Sequence, residues 1–268
     1  MTAAVAPIRG EKRTARSSQV AWAMAKRSLV TTLRVPAAVL PLFLMPIFFV
    51  VIFSGSFSAL TELPHFPTDN VLNWMVPSSI LQGAAFAGMG AAFITVRDID
   101  SGFYDRVLLM PGGRAGVVLA PVLAAAVRCL FTIFVVFLFG MALGGDLPGG
   151  VLGVVALFGT SLGVSTLCVG WALGVVYRIP TQRAAPLLMV GIFFTTFLST
   201  GNVPLADQTG WVHAVARFNP YTNILALARQ GMIGEVTWAQ TWPGLVAMAG
   251  SMAVLWAFAL TGVRRFTR

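Results

Sequence analysis

An all-helical membrane protein is predicted by three features of this sequence: its composition, the lengths of its uncharged stretches and the placement of its basic residues. Of 268 residues, 57% are apolar and 10% are charged, against about 45–50% and about 25% in soluble domains. Mean hydropathy is +0.83. A water-soluble fold of this size would have to carry a largely apolar surface. Six uncharged or nearly uncharged runs occur, over residues 35–61, 70–96, 115–145, 147–177, 184–206 and 236–263. Each meets the roughly 20 helical residues needed to cross a hydrocarbon core of about 30 Å. The bases supply the third feature, because fifteen of the eighteen Lys and Arg fall on one side when the N-terminus is placed inside.

The elements follow in order. Residues 1–34 form a basic tail, and within them residues 17–34 put Trp22, Leu29 and Leu33 on one helical stripe among Lys26, Arg27 and Arg34. That pattern suits a helix lying flat at the inner membrane surface. The first apolar run starts too late, runs too long and lacks the small-residue cleavage site of a signal peptide, so it is expected to stay in the mature protein. Its phenylalanines, Phe43, Phe48, Phe49, Phe53 and Phe57, either line an apolar route or face lipid and neighbouring helices. The third run is interrupted only by Arg128, near mid-bilayer at 1.5 Å per residue. A charge there costs about 2.5–3.5 kcal/mol on insertion scales. Arg128 is therefore expected to meet protein or a wet cavity, either touching cargo in a translocation path or pinning helices through carbonyls or an amide such as Gln82.

Inner segments carry Arg9, Lys12, Arg13, Arg16, Lys26, Arg27, Arg34, Arg97, Arg106, Arg114, Arg178, Arg183, Arg264, Arg265 and Arg268. Outer segments carry Glu62, Asp69, Asp146, Asp207 and Glu235 with only Arg217 and Arg229 as bases. This asymmetry obeys the positive-inside rule and puts both termini in the cytoplasm. The net charge of +9 thus reads as topology rather than as a nucleic-acid footprint.

Residues 201–241 are too long for a turn and too apolar for a solvated loop, so they are expected to re-enter the outer leaflet. Asn219 and Pro220 read as an N-cap and a first-turn proline. Ile224, Leu227, Ala228 and Met232 follow at helical spacing, with Gly231 and Gly234 available to end that helix. Just upstream, Trp211, Val215 and Phe218 oppose His213 and Arg217, giving a second short amphipathic helix.

Several chemistries have no residues to carry them. Neither Lys12 nor Lys26 sits in a GxxxxGK[ST] phosphate loop. His65 and His213 have no metal-ligand spacing, and Cys129 and Cys168 lie inside apolar runs as small hydrophobes. No carboxylate falls mid-span, which disfavours a proton-coupled or facilitative drug transporter. Missing catalytic clusters disfavour a membrane scaffold or lipid-processing enzyme. No internal repeat or second domain is visible.

Two segments carry a family resemblance: RDIDSGFYDRVLLMPGGR over residues 97–114, and FLSTGNVPLADQTGWVHAVARFNPYTNILALARQG over residues 197–231. Together they resemble permease subunits of ATP-binding cassette (ABC) transporters of the type 2 exporter class, in the daunorubicin-resistance and actinobacterial lipid-export branch. The resemblance spans nearly the whole chain as one transmembrane domain, 1–268. One departure is Phe103, where that family commonly has a small polar residue after the glycine.

The resemblance implies six transmembrane helices, an inner elbow helix within 1–34 and a re-entrant hairpin over 201–241. It implies a separate ATPase subunit, carrying ATP and Mg, that docks on loop 97–114. The coupling residues would be Arg97, Asp98, Asp100, Gly102, Phe103, Asp105 and Arg106. Without a docked partner, Phe103, Tyr104, Val107, Leu108 and Leu109 are expected to stand exposed. Gly201, Pro204, Trp211, Asn219, Pro220 and Arg229 would form an outer gate or a structural cap, and Arg128, Phe49, Phe53 and Gln82 the translocation path. The implied activity is non-catalytic export of lipophilic or amphiphilic drugs, antibiotics or lipids from a bacterial plasma membrane. A second permease copy or a paralogue would complete the path, membrane lipid would surround it, and this chain itself would bind no cofactor, metal or nucleic acid.

Overall fold

The computed structural model describes residues 17–34, 36–62, 66–109 and 113–266, and among them every regular element is helical. Ten α-helices follow one another: α1 (Ser17–Leu33), α2 (Pro36–Ser56), α3 (Val71–Asp100), α4 (Phe103–Leu108), α5 (Gly113–Ala142), α6 (Gly150–Val176), α7 (Ala185–Phe197), α8 (Gly210–Phe218), α9 (Pro220–Ile233) and α10 (Trp238–Phe266). All six apolar runs yield a helix. α3, α5, α6 and α10 are long and apolar enough to cross a membrane. α2 has 21 residues. The fifth run is the one that differs from expectation: α7 has 13 residues, about 20 Å of rise, and the chain beyond Phe197 leaves the helix for an irregular turn.

α3 is the central post, with 20 of its 30 residues buried, packed against α2, α5, α6 and α9. Close approach explains its small residues. A Cβ on Gly88 would lie 2.3 Å from the Ser165 carbonyl oxygen on α6, so only glycine lets the two backbones meet there. Asn70 starts α3 by accepting from the Leu72 N–H, and its amide reaches the Gly144 carbonyl in the α5–α6 loop at 2.7 Å.

The elbow helix is not laid out by the stripe its large residues suggest. Trp22 is exposed, and the buried residues of α1 are Val20, Ala21 and Ala25. Val20 meets Gly116, and Ala25 packs with Ala120 and Ala124, so α1 follows the first half of α5 through a seam of small residues, the packing that close helix pairs in membranes use. Leu29 joins that seam. The side chains of Leu33 and Phe43 lie outside the described residues, as do residues 1–16, His65, Pro111 and Arg268.

One end of the bundle gathers the start of α1, α4, the start of α5 and the ends of α6 and α10 in a single apolar cluster around Tyr104, Val107, Val117 and Tyr177. The opposite end carries the α5–α6 loop, α8 and α9. α9 lies between α3, α6 and α10, whereas α8 rests mainly on α9 and on the turn at Leu205–Asp207.

Candidate coupling and outer-loop sites

At the α4 end, α3 stops because Gly102 turns left-handed, φ +65°, a conformation that disfavours any side chain bearing a Cβ. The Ser101 N–H donates to the Arg97 carbonyl and the Gly102 N–H to that of Ile99, both at 3.0 Å. α4 then presents two faces. Tyr104 and Val107, one turn apart, are buried. The Tyr104 hydroxyl hydrogen-bonds the Tyr177 hydroxyl, and its ring stands edge-on to Phe266 at 5.7 Å between centroids. Burial, reinforced by Tyr177, pushes the Tyr104 hydroxyl above the ordinary tyrosine range and keeps it neutral. Arg97, Asp100, Asp105 and Arg106 point outward, and Leu109 is 86% exposed. The expectation that this loop's apolar residues need a partner to cover them is therefore corrected. The chain's own helix ends bury Tyr104 and Val107, Phe103 and Leu108 are half-buried, and Leu109 alone stands free.

Asp98 belongs to the support rather than to the outer surface of this site. It is 7% exposed and accepts from Arg27 Nη1 of α1 at 2.7 Å. The same guanidinium stacks 3.9 Å from the Phe103 ring centroid. Phe103, the departure from the family pattern, thus supplies the face on which an elbow arginine rests.

At the other end, Arg229 of α9 is 2% exposed and meets no carboxylate among the described residues. Nη1 donates to the Thr200 carbonyl at 3.0 Å, and Nη2 donates to Ser78 Oγ at 2.7 Å and the Gly201 carbonyl at 3.1 Å. Its guanidinium lies 3.5 Å from the Trp74 ring centroid, a cation–π contact in a desolvated setting. Asn219 works in two directions. Its Oδ1 accepts from the Tyr221 N–H, capping α9, while Nδ2 donates to the carbonyls of Thr195 and Leu198, each at 2.7 Å, closing the end of α7. Arg229 and Asn219 are why α7 ends at Phe197 although the apolar run continues. The carbonyls they bind have left the helical ladder.

Ile224, Leu227, Ala228 and Met232 are all buried, as the α9 periodicity requires. Gly231 does not end α9. It crosses Gly149, just ahead of α6, and Gly153 within it so closely that a Cβ on Gly231 would lie 2.2 Å from Gly153 Cα. Gly201 and Pro204 are buried and Pro220 is exposed. Trp211 is exposed together with Val215 and Phe218, so the apolar stripe of α8 faces away from the protein. His213 Nδ1 sits 3.0 Å from the Leu205 carbonyl oxygen.

The residues considered for a path divide. Phe49, Phe53 and Gln82 gather with Ser78, Phe197 and Gly201 around a small crevice between α2, α3 and α7. Arg128 is elsewhere. It is 7% exposed, reaching Ser28 Oγ of α1 at 3.3 Å and the Ala87 carbonyl at 3.5 Å. Gln82 as its partner is corrected: Gln82 and Ala87 are five residues apart, about 140° around α3, and face different neighbours.

Sequence reasoning missed four participants. Arg27 reads as a solvated elbow base. Trp74 and Ser78, four apart on one face of α3, give no hint of an arginine 151 residues away in sequence. Arg178 reads as a topology charge, yet it bonds the Gly174 and Phe258 carbonyls and Thr261 and stacks on Phe258 at 3.9 Å. Among the described residues no group of three or more His, Cys, Asp or Glu is placed to hold a metal ion. What these sites offer chemically is directional hydrogen bonds and stacked cations that fix one helix against another.

A model of the ABC-2 type transporter family matches residues 19–233. The chain is 27% identical over 269 residues to the daunorubicin resistance ABC transporter permease protein DrrB1 of Streptomyces coeruleorubidus, covering 92% of this chain and 90% of that one. It is 26% identical over 210 residues to the protein named "Probable doxorubicin resistance ABC transporter permease protein DrrC" of Mycobacterium tuberculosis, covering 72% and 73%.

Proposed function

The chain belongs to the ABC-2 type transporter family, as a membrane permease subunit of an ABC exporter, and from that premise we propose how it works. A separate cassette ATPase, holding ATP and Mg, docks on loop 97–114 in the cytoplasm, and this chain hydrolyses nothing itself. Two permease copies, or this chain and a paralogue, enclose the path in a bacterial plasma membrane with both termini inside. The cargo is lipophilic or amphiphilic, as the daunorubicin and doxorubicin resistance of the named relatives suggests. ATP-driven closure of the ATPase pair moves α4, and the permease halves alternate between inward and outward access as rigid bodies. Residues 201–241 form the outer gate, with Arg229 and Asn219 holding the turn at residues 198–204 and Trp211 standing on its outer surface.

The observation that carries this reading is the two-faced α4. Tyr104 and Val107 anchor it to the ends of α6 and α10, while Asp105, Arg106 and Leu109 stand out beside Arg97 and Asp100. A small helix with an anchored back, mixed charges in front and one free leucine suits a transient protein contact, in which charge sets orientation and a buried apolar side chain supplies affinity. The test is co-expression with the cassette ATPase of a neighbouring reading frame. The wild type is expected to co-purify with it, and Leu109→Glu is expected to weaken capture by about tenfold or more while leaving the permease folded. Transport that persists after ATP depletion, with no cassette ATPase bound, would refute the reading.

A further inference from the structure

A further space borders the outer-loop site at Thr195, Pro220 and Tyr221. It is a cleft of about 640 Å³ enclosed by α6, α7, α9 and α10, with Ala85 of α3 at its back. That volume is within the range of small-molecule sites. Its rim includes Thr195 of α7 and Val246, Gly250 and Val254 of α10, all exposed, so it opens sideways. Along α10 the lining runs from Val246 to Leu255, about 13 Å of helix in the middle of an apolar span. Its mouth therefore meets hydrocarbon rather than water.

Two features of the lining define an occupant. No lining residue carries a charge, so an ionic group would enter without a counter-charge. Yet two polar atoms there lack partners: the hydroxyl of Tyr221, a residue 6% exposed, and the indole N–H of Trp171. Thr196, also in the lining, approaches the Tyr221 hydroxyl without reaching hydrogen-bond geometry. Both groups can donate, and both lie at a depth where lipid tails offer no acceptor.

We propose that this cleft is a lateral binding site for one neutral, mostly apolar molecule carrying a hydrogen-bond acceptor, taken up directly from the membrane. The proposal deepens the exporter reading and rests on it for the occupant's role as cargo. An alkyl chain alone would fill the space but leave both donors unpaired. A carbonyl or ether oxygen on an apolar frame fills the space and pairs at least one of them. Gly250 makes the site testable, because a Cβ built on it meets nothing within 4 Å. A larger side chain there enters the cleft without disturbing a packed neighbour.

The experiment uses the full-length chain in lipid nanodiscs and a 16-carbon methyl ketone bearing a mid-chain diazirine, compared with the alkane bearing the same diazirine. Saturable photolabelling by the ketone is expected on peptides containing Trp171, Ile192 or Ser251, with the alkane at least about fivefold weaker. Tyr221→Phe is expected to weaken ketone binding about three- to tenfold, the equivalent of one neutral hydrogen bond. Gly250→Phe is expected to lower labelling at least about tenfold while the melting midpoint stays within a few degrees. Equal labelling by ketone and alkane would overturn the proposal. So would labelling no greater than at the exposed Leu123 and Phe134 of α5, or labelling unchanged by Gly250→Phe. ATPase capture, measured on the same preparations, separates the two readings. Saturable labelling without capture leaves the site and removes the exporter mechanism, whereas capture without saturable labelling does the reverse.

Discussion

Breaking the contact between Arg27 and Asp98 should loosen α1 from the end of α3 by an amount the structure bounds. The Arg27 side chain is 45% exposed and that of Asp98 10%. Solvent on the arginine side screens the Coulomb attraction toward the roughly 0–1 kcal/mol of surface pairs. The nearly buried acceptor pulls the other way, since hydrogen bonds to charged groups contribute about 1.5–3 kcal/mol. Stacking on Phe103 at 3.9 Å adds about 0.5–1 kcal/mol at an exposed site. Arg27→Gln should therefore cost about 2 kcal/mol. Asp98→Asn, which leaves the stacking in place, should cost about 1.5 kcal/mol. The double variant should lose little more than the larger single loss, a coupling energy of about 1.5 kcal/mol by double-mutant cycle. Reversible unfolding in mixed micelles titrated with SDS reads these differences. The complex with its ATPase should in parallel hydrolyse ATP with less transport per turnover. A coupling energy under about 0.3 kcal/mol, the level of independent sites, would show that the 2.7 Å contact joins nothing, and the elbow would lose its place in coupling.

Three further outcomes are expected. Arg229→Met should cost about 3 kcal/mol in the same unfolding assay, because the carbonyls of Thr200 and Gly201 lose their buried donor and the Trp74 face its cation; a loss under 1 kcal/mol would remove the pin. Gly231→Ala should cost about 1–3 kcal/mol by overpacking against Gly153, whereas Gly250→Ala should be nearly neutral, and equal effects would contradict the close crossing. Tyr104→Phe should cost about 1–2 kcal/mol by leaving the Tyr177 hydroxyl unpaired. Because the folded Tyr104 hydroxyl titrates above its unfolded value, the stability it lends is complete below about pH 10 and is lost as pH rises further. The gap between wild type and Tyr104→Phe should therefore narrow only in strong alkali, as followed by melting midpoint against pH.

What the sequence made legible was local or periodic. Asn219 and Pro220 announce the start of α9 because capping is decided within three residues, and Ile224, Leu227, Ala228 and Met232 announce its buried face by spacing alone. Gly102, which turns left-handed before α4, is marked in the sequence only through the family resemblance. The end of α7 could not be read, because hydropathy continues unbroken to Ala206 and the reason for stopping lies in side chains at positions 219 and 229. The elbow's seam was hidden by residue size: Ala21, Ala25, Gly116 and Ala120 pack closest yet weigh little in hydropathy, whereas Trp22, the largest apolar side chain of α1, faces outward. Arg27, Arg178 and Arg229 read as charges that orient the chain. Their partners on Phe103, Phe258 and Trp74 are long-range, and a single sequence carries no sign of them.

The two sites share one helix. Trp74 and Ser78, which hold Arg229, and Asp98, which holds Arg27, all belong to α3, and Ser78 and Asp98 are twenty residues apart in it, about 30 Å. Near its midpoint α3 is locked to α6 by the Gly88–Ser165 approach, and α6 is locked to α10 by Arg178 on Phe258 and Thr261. α6 is also joined to α9 through Gly149, Gly153 and Gly231. Close-packed elements of this kind shift as a unit rather than deform, so a displacement imposed on α4 reaches the turn at residues 198–204 through rigid helices. Freedom is left to the lightly packed pieces, α7 and α8. α7 borders the cleft on one side and the crevice of Phe49, Phe53 and Gln82 on the other. Movement of this one short helix against the α3–α6–α10 block would therefore change both spaces at once, opening one as it narrows the other.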